Sequence, residues 1–219
     1  MKISENTLNI LKNFSAINQS ILVRPGKTMA TTSATKTILA SADVEEDFPT
    51  QFCIFELPKF LGVVSLFDSP DFEFGSNTVT ISSGKKKTSI TYAAPATIVA
   101  PPAKGINFPD AEVEFDLQGT DLNSVARAAS VMQLPELALS GRDGTIYLEV
   151  INSKVPTADS YSIAVGETEH TFKMIIKTEN IKMVSSDYHV SVSSKGIIKF
   201  KSDKLTYFVV TESTSSFGG

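Results

Sequence analysis

Apolar residues recur at helical spacing in two segments of the chain, 4–17 and 120–132. In the first segment, the residues that fall together on one side at about 100° per residue are Ile10, Leu11, Phe14 and Ile17. In the second, one broad apolar arc contains Leu122, Val125, Ala126, Ala128, Ala129 and Met132. Both segments therefore predict amphipathic helices that pack one face against a core.

The opposite faces of these helices lack the mixed Glu and Lys pairs of an ordinary exposed helix. The first carries Asn6, Asn9, Lys12 and Asn13, with Glu5 in its first turn. The second carries Thr120, Asn123, Ser124, Arg127 and Ser130, with Asp121 near its start. Amides, hydroxyls and cations contact phosphate and sugar without reading bases. The two faces are either a surface for a polyanion or simply solvated, and the residues alone leave both interpretations open.

Most of the remaining chain has the pattern of short strands separated by turn signals. The predicted strands are 20–23, 36–44, 51–57, 77–83, 87–93, 111–117, 134–140, 145–151, 160–165, 171–176, 187–193, 196–202 and 205–212. Asp143-Gly144 predicts a two-residue hairpin turn, and 82–89 predicts a hairpin with a basic tip. The segment 94–109 contains four prolines and predicts an extended connector, because proline disrupts helices and central strands.

The two halves of the chain repeat one order of elements, which favours two copies of a single α+β unit. Phe52 aligns with Phe172, and Leu61 with Ile181, without a gap. Each aligned segment is expected to run from a strand into a short helix, with Lys59 and Lys182 on those helices. The predicted organisation is domain 1 at 1–94, a connector at 95–107, domain 2 at 108–212 and a frayed, flexible tail at 213–219.

Charge and composition exclude several classes of protein. The 219 residues carry a formal net charge of −4, which does not fit a uniformly basic nucleic-acid-binding protein. The acids are expected in loops at 43–47 and 69–73, away from the two helices. The single cysteine, Cys53, excludes an internal disulfide, fits a reducing compartment and is expected in the core. The apolar stretch 60–67 is too short to span a bilayer, and no signal-peptide pattern is found.

No catalytic, metal or cofactor site is predicted. His170 and His189 are the only histidines, and neither belongs to a zinc-binding motif. The segment 82–89 lacks the first glycine of a phosphate-binding loop. The acidic run 43–47 could hold a divalent cation, but a solvated loop is the better interpretation.

Five segments carry a resemblance to a known family: 11–18, 60–66, 98–109, 121–127 and 180–183. Their order and spacing resemble those of the sliding clamps of T-even-like bacteriophages, the processivity factors of the phage DNA polymerases. The resemblance extends from Met1 to about Glu212. It implies an α+β DNA-clamp fold with two similar domains per subunit, helices lining a central hole and antiparallel sheets on the outside.

The resemblance also implies a function and a set of partners. A homotrimeric ring would encircle duplex DNA without reading its sequence, and an ATP-driven loader would place it there. The ring would tether the DNA polymerase through the polymerase's C-terminal peptide and support late transcription with a phage sigma-like factor, in the cytoplasm of the infected bacterium and without a membrane partner. The alternative is a β-rich structural protein of the virion or tail, and an enzyme ranks third.

Residue roles follow from the same resemblance. The residues that match family positions on the helices lining the central hole are Lys12, Lys59, Arg127 and Lys182. With Glu5 on the same face and one arginine on the second helix, the hole is weakly basic. The ring would close by pairing 87–93 with 160–165 of the next subunit, through Ile90, Tyr92, Tyr161 and Ile163.

A partner peptide would insert beneath the connector. The residues expected to form its groove are Val44, Ile98, Val99, Pro101, Pro102, Phe108 and Val210. The connector residues are expected to be exposed, because an irregular segment cannot bury them in a regular element. Val44 is expected in a loop of domain 1, and Val210 near the end of the chain.

Overall fold

The chain folds into two compact units, Met1–Gly105 (unit 1) and a second that begins at Ile106 (unit 2). The computed structural model describes residues 1–155 and 157–218. Within them the α-helices are Glu5–Ile17 (α1), Leu57–Val64 (α2) and Gly119–Met132 (α3). None of these helices is long and apolar enough to cross a membrane.

Unit 1 combines α1 and α2 with short antiparallel strands. The strands are Ile21–Val23 (β1), Gly26–Thr32 (β2), Ile38–Phe48 (β3), Phe52–Ile54 (β4), Asp71–Phe74 (β5), Thr78–Ser83 (β6) and Lys86–Thr91 (β7). β1 pairs with β4, β2 pairs with β3, and β5, β6 and β7 form a meander in that order. Along β3, alternate side chains are buried, as expected of a strand with one face on the core.

Unit 2 has two antiparallel groups of strands. The strands are Val113–Leu117 (β8), Glu136–Arg142 (β9), Thr145–Ile151 (β10), Tyr161–Glu167 (β11), Phe172–Lys177 (β12), Tyr188–Ser193 (β13), Ile197–Lys201 (β14), Leu205–Val210 (β15) and Ser216–Phe217 (β16). One group has the order β11-β10-β9-β12-β16, and the other contains β8, β13, β14 and β15 as neighbours in that order. The predicted turn between β9 and β10 is confirmed, since Asp143 and Gly144 have φ values of 52° and 79°.

The internal repeat is confirmed by topology. The meander β5-β6-β7 of unit 1 corresponds to β13-β14-β15 of unit 2, and each follows a strand with an aligned phenylalanine. An antiparallel bridge between Lys2 and Asp71 stands in unit 1 where β8 pairs with β13 in unit 2. The predicted α+β class is therefore confirmed.

Several local predictions are wrong. The acids of 43–47 lie on β3, and Asp71 and Glu73 lie on β5, so these acids are not in loops. The strand predicted at 51–57 ends at Ile54, and β2 was not predicted. The expectation of a frayed tail fails at Ser216 and Phe217, which pair with β12 while the Phe217 ring stacks on Phe172.

The aligned strand-to-helix segments also differ. Unit 1 forms α2, but unit 2 forms only a single 3₁₀ turn, Thr178–Asn180. Beyond that turn, the Tyr188 hydroxyl donates to the carbonyl of Val184 at 2.7 Å, and the Val184 N–H donates to the Tyr207 hydroxyl at 3.5 Å. The two tyrosine hydroxyls thus form hydrogen bonds with backbone N–H and C=O groups that, in a helix, would bond to each other.

Candidate nucleic acid and partner interfaces

The polar face of α1 is solvent-exposed, as predicted. Its exposed side chains include Glu5, Asn6, Asn9 and Lys12, while Ile10 and Phe14 are buried. The Lys12 Nζ lies 3.5 Å from the Asn9 Oδ1, and this contact is itself exposed. The Lys12 charge therefore remains available to a ligand on this face.

The polar face of α3 is likewise exposed. The exposed side chains of the predicted face are Thr120, Asn123, Ser124, Arg127 and Ser130. Leu122 and Val125 are buried on the opposite side. Each unit thus presents one long helix whose outward face combines amides or hydroxyls with a single exposed cation, Lys12 in unit 1 and Arg127 in unit 2.

The other two predicted cations have different settings. Lys59 is exposed on α2 and forms an ion pair with Glu56 at 3.0 Å, which offsets its charge. Lys182 is half-buried and lies after the 3₁₀ turn, so its predicted place on a helix is wrong. The structure therefore places Lys12, Lys59 and Arg127 on helices and leaves Lys182 on irregular backbone.

The connector begins as part of unit 1. Ile98 is only 8% exposed and packs with Leu22 and Cys53, so the expectation that it is exposed is wrong. Pro101 is also buried, whereas Val99 is 41% exposed and Pro102 is exposed. Cys53 lies in the core as predicted, and burial raises the pKa of its thiol.

Two side chains that sequence reasoning missed hold the connector in place. The Asn18 amide donates to the carbonyl of Val99 at 3.0 Å and to that of Thr32 at 2.9 Å. The Arg24 guanidinium donates to the carbonyl of Pro101 at 3.1 Å. An Asn that directly follows a helix was the one available signal for Asn18. No local pattern marks Arg24 for this role.

The strands predicted to join subunits lie at sheet edges. In the described residues β7 pairs only with β6, and β11 pairs only with β10. Ile90 lies opposite the fully buried Val79, and Ile163 lies opposite the fully buried Leu148. Both isoleucines are nevertheless only half-buried, so each edge exposes part of its core-facing side.

A groove of about 320 Å³ lies between α2 and β7 within unit 1. We refer to it as the α2–β7 groove; it is lined by Phe55, Lys59, Phe60, Val63, Ile90 and Tyr92, among others. Phe55 is 60% exposed. The Tyr92 hydroxyl is buried and has no hydrogen-bond partner in the part of the chain that the structure describes, and burial raises its pKa.

Comparison with known proteins identifies the family of the chain. Residues 114–213 match the family described as "gp45 sliding clamp, C terminal". The sliding clamp of Vibrio phage KVP40 is 31% identical over 220 residues, which cover 97% of this chain and 99% of the relative. The chain belongs to the sliding-clamp family. The sliding clamp of Enterobacteria phage T4 is 29% identical over 226 residues and is matched over 99% of both chains.

Solved structures confirm the DNA-clamp fold of this sliding clamp. A. fulgidus PCNA, solved with the C-terminal region of FEN-1, has a TM-score of 0.72 at 9% identity, with 96% of each chain covered. The Helicobacter pylori beta clamp, solved with a DNA ligase peptide, has a TM-score of 0.72 at 12% identity, with 97% of this chain and 65% of that chain covered.

The remaining residues of the predicted peptide groove are placed unevenly in the clamp. Val44 is buried on β3 and not in a loop, so its predicted setting is wrong. Val210 is 42% exposed at the end of β15. It lines a cavity of about 340 Å³ in unit 2, together with Lys195, Thr211 and Phe217.

Phe108 is fixed within unit 2. Its ring lies 6.1 Å from that of Phe208, and the Lys199 ammonium lies 4.7 Å from its centroid. A cation so placed over an aromatic face is attracted by the ring quadrupole. Phe108 is therefore a half-buried anchor of the connector's end rather than a freely exposed side chain.

Proposed function

We propose that this clamp is a non-enzymatic processivity factor that closes into a homotrimeric ring around duplex DNA. The observation that carries the proposal is the repeated helix face: α1 and α3 each expose amides or hydroxyls with one cation, in a chain of the sliding-clamp family. Such side chains contact the phosphate backbone without reading sequence. Family membership favours this function over a structural virion protein.

Weak contact with DNA suits a protein that slides. Duplex affinity falls with salt at a slope of about −0.9 per phosphate neutralised, so a few cations give shallow, non-specific binding. Lys12 and Arg127 supply charge that no carboxylate of the described residues pairs with, and Lys59 supplies a charge offset by Glu56. Retention on DNA would come from encirclement, while the net charge of −4 disfavours DNA binding elsewhere on the surface.

Ring closure would use the two free edges. An open sheet edge presents unpaired backbone groups that another chain can pair with. Pairing of β7 with β11 of the next subunit is a head-to-tail contact, which closes a ring when the rotation fits. Ile90, Tyr92, Tyr161 and Ile163 would be its apolar contacts.

The partners of the ring would be a clamp loader, the polymerase and a late-transcription sigma-like factor, in the cytoplasm of the infected bacterium. The fold relatives solved with a FEN-1 region and with a ligase peptide support peptide capture as the mode of tethering. Val99, Pro102 and Val210 are the exposed members of the predicted groove. Val99 is presented on backbone that Asn18 fixes, which lowers the ordering cost of binding.

The DNA-facing role is tested by reversing four charges at once. In the variant Lys12→Glu, Lys59→Glu, Arg127→Glu and Lys182→Glu, we expect loading and processive synthesis to fall while the trimer persists. The readouts are product length in a primer-extension assay with loader and polymerase, and sedimentation equilibrium. The matched control reverses four exposed lysines off the helices: Lys36, Lys154, Lys173 and Lys204. Normal product length for the first variant would refute the assigned face.

The peptide groove is tested with Val99→Ser combined with Val210→Ser. We expect a fluorescent peptide of the polymerase C-terminus to lose affinity, because both exposed valines supply apolar area to it. Val155→Ser is the control, since Val155 is 45% exposed but far in sequence from the groove residues. Equal affinities for all three proteins would exclude this groove. Ile98 is left unchanged because it is a core residue.

A further inference from the structure

One edge of β12 is covered by a later part of the same chain. Beyond β15 the residues 212–218, which we call the tail segment, run along β12, and β16 within them pairs antiparallel with it. The Ile175 N–H donates to the Ser215 hydroxyl at 2.9 Å, and the Ile175 carbonyl accepts from the Glu212 N–H at 2.7 Å. Without the tail segment, this edge would present unpaired backbone groups to which another strand could add.

The tail segment is held by one apolar side chain. Phe217 is its only large apolar residue. The Phe217 aromatic ring stacks on that of Phe172, with centroids 5.5 Å apart, and lies 5.6 Å from the His170 ring. Phe217 is nevertheless only half-buried, and most other residues of the segment are exposed. The attachment therefore depends on one aromatic ring and a few backbone hydrogen bonds, each of which contributes only about 0.5–1.5 kcal/mol.

The tail segment also forms one wall of the cavity of about 340 Å³ beside Val210. Met174 and Lys195 line other parts of this cavity. Apart from Phe217, the tail segment contributes only serines and Glu212 to the lining. These side chains are small or charged, so an apolar side chain from another strand would fill the cavity better than the tail segment does.

We propose that the tail segment is a strap that competes with partner peptides for the edge of β12 and for the cavity beside Val210. The peptide that displaces it is extended, places an aromatic residue on Phe172 where Phe217 lies, and inserts a second apolar side chain into the cavity. This inference rests on the proposed peptide capture and adds a competitor supplied by the clamp itself.

Competition within one chain is effective even when the contact is weak. The tail segment is joined directly to β15, and a short tether gives an effective concentration in the millimolar range. The apparent affinity of a ligand falls in proportion to the fraction of protein that can bind it. A strap that is docked for about nine-tenths of the time therefore lowers peptide affinity about tenfold. Peptides without the aromatic residue would not displace it.

Releasing the strap is the first test. Phe217→Ser removes the aromatic anchor, so the fluorescent polymerase C-terminal peptide should bind about tenfold more tightly than to wild type. Thr214→Ser is the control, since Thr214 is an exposed residue of the same segment, and its affinity should equal that of wild type. A loss of affinity in Phe217→Ser would make Phe217 part of the binding surface and overturn the strap, and an unchanged affinity would overturn it as well.

Locking the strap is the second test. Lys173 and Ser216 lie opposite each other in the pairing of β12 with β16, and opposed residues of antiparallel strands have Cα atoms about 4.5–5.5 Å apart, within disulfide range. Lys173→Cys combined with Ser216→Cys should lose peptide binding when oxidised and regain it when reduced. Peptide added before the oxidant should slow formation of the bond.

Lys173→Cys alone is the control for the lock, and its peptide affinity should not respond to the oxidant. Equal affinities of the oxidised and reduced double variant would overturn the strap, because a closed strap must exclude the peptide.

The Val99→Ser and Val210→Ser combination separates this inference from the proposed function. If that variant loses the peptide while the released and locked straps bind it as wild type does, the strap is overturned and the peptide groove stands. If the strap variants shift affinity but the valine variant does not, the strap stands and the groove assignment fails. If the peptide binds to none of these proteins, both proposals fail.

Discussion

The two long helices begin in different ways although they occupy equivalent places in the two units. At α1, the Ser4 hydroxyl accepts from the N–H of Thr7 at 3.2 Å, and the carboxylate of Glu46 on β3 accepts from the Ser4 N–H. At α3, the residue before the helix provides no side-chain cap. There the Gly119 N–H donates to the Asp187 carboxylate at 2.8 Å.

Both helix starts thus take a carboxylate from a distant part of the same unit, but only one of these carboxylates is buried. Glu46 is 9% exposed and also accepts from the Thr7 hydroxyl at 2.5 Å. Asp187 is exposed, and at α3 the close packing is between backbones, since a Cβ on Gly119 would lie 2.7 Å from the Ser186 carbonyl oxygen. Both units therefore anchor the start of their long helix at the equivalent place. In unit 1 the anchor is a buried carboxylate, and in unit 2 it is close contact between backbones.

The largest expected effect is that of Glu46→Ala. The substitution leaves the Ser4 N–H and the buried Thr7 hydroxyl without their acceptor, and each lost charge-assisted bond costs about 1.5–3 kcal/mol. We expect the free energy of unfolding to fall by about 3 kcal/mol, measured by urea titration at fixed protein concentration. Asp47→Asn is the control, because Asp47 is exposed on the same strand. A loss of stability no larger than that of the control would show that Glu46 does not anchor α1.

Gly119→Ala should cause the second-largest loss of stability. The added methyl group meets the backbone of Ser186, which cannot move aside as a flexible side chain would, and overpacking of this kind typically costs about 1–3 kcal/mol. The control is Gly62→Ala in α2, where nothing lies within 4 Å of the added Cβ and the substitution should stabilise the helix by up to about 1 kcal/mol. Similar urea midpoints for both variants would contradict the backbone contact.

Acid should weaken unit 1 through Glu46. Burial raises the pKa of Glu46, but its hydrogen bonds with Thr7 and Ser4 outweigh burial and lower the pKa below the ordinary value of 4.5. A group with a lowered folded-state pKa stabilises fully above its unfolded value and loses this contribution as pH falls through the folded value. Wild type should therefore exceed Glu46→Gln in stability at pH 7 and approach it below pH 4.5. A constant difference across that range would contradict this assignment.

How far the sequence predicts the molecule depends on the range of each interaction. The faces of α1 and α3, the Asp143-Gly144 turn and the existence of the strands β7 and β11 follow from period and turn chemistry, which are local. The anchors Glu46 and Asp187 are 42 and 68 residues away from the N–H groups that they accept. No local pattern distinguishes them from solvated acids.

The same argument covers the wrong predictions at the candidate sites. Lys182 lies on irregular backbone, beside which Tyr188 and Tyr207 bond the backbone of Val184. Ile98 is buried because it packs against Leu22 of β1 and Cys53 of β4. Both outcomes depend on tertiary contacts that override local propensity. The sequence could not predict that Val99 is exposed and its neighbour Ile98 is buried. An irregular segment has no repeating pattern that assigns side chains to a buried or an exposed face.

The smallest expected effect is that of Asp187→Asn. The amide oxygen of Asn can still accept from the Gly119 N–H, so the substitution removes only the charge near the start of α3. A charge at an exposed helix N-terminus contributes about 0.3–1 kcal/mol at low salt and less at high salt. We expect a loss of about 0.5 kcal/mol in urea titrations at low salt that shrinks as salt is added, whereas the loss from Glu46→Ala should persist because a buried contact is screened little. A salt-insensitive loss as large as that of Glu46→Ala would show that Asp187 anchors α3 as strongly as Glu46 anchors α1, and the contrast between the two helix starts would then be wrong.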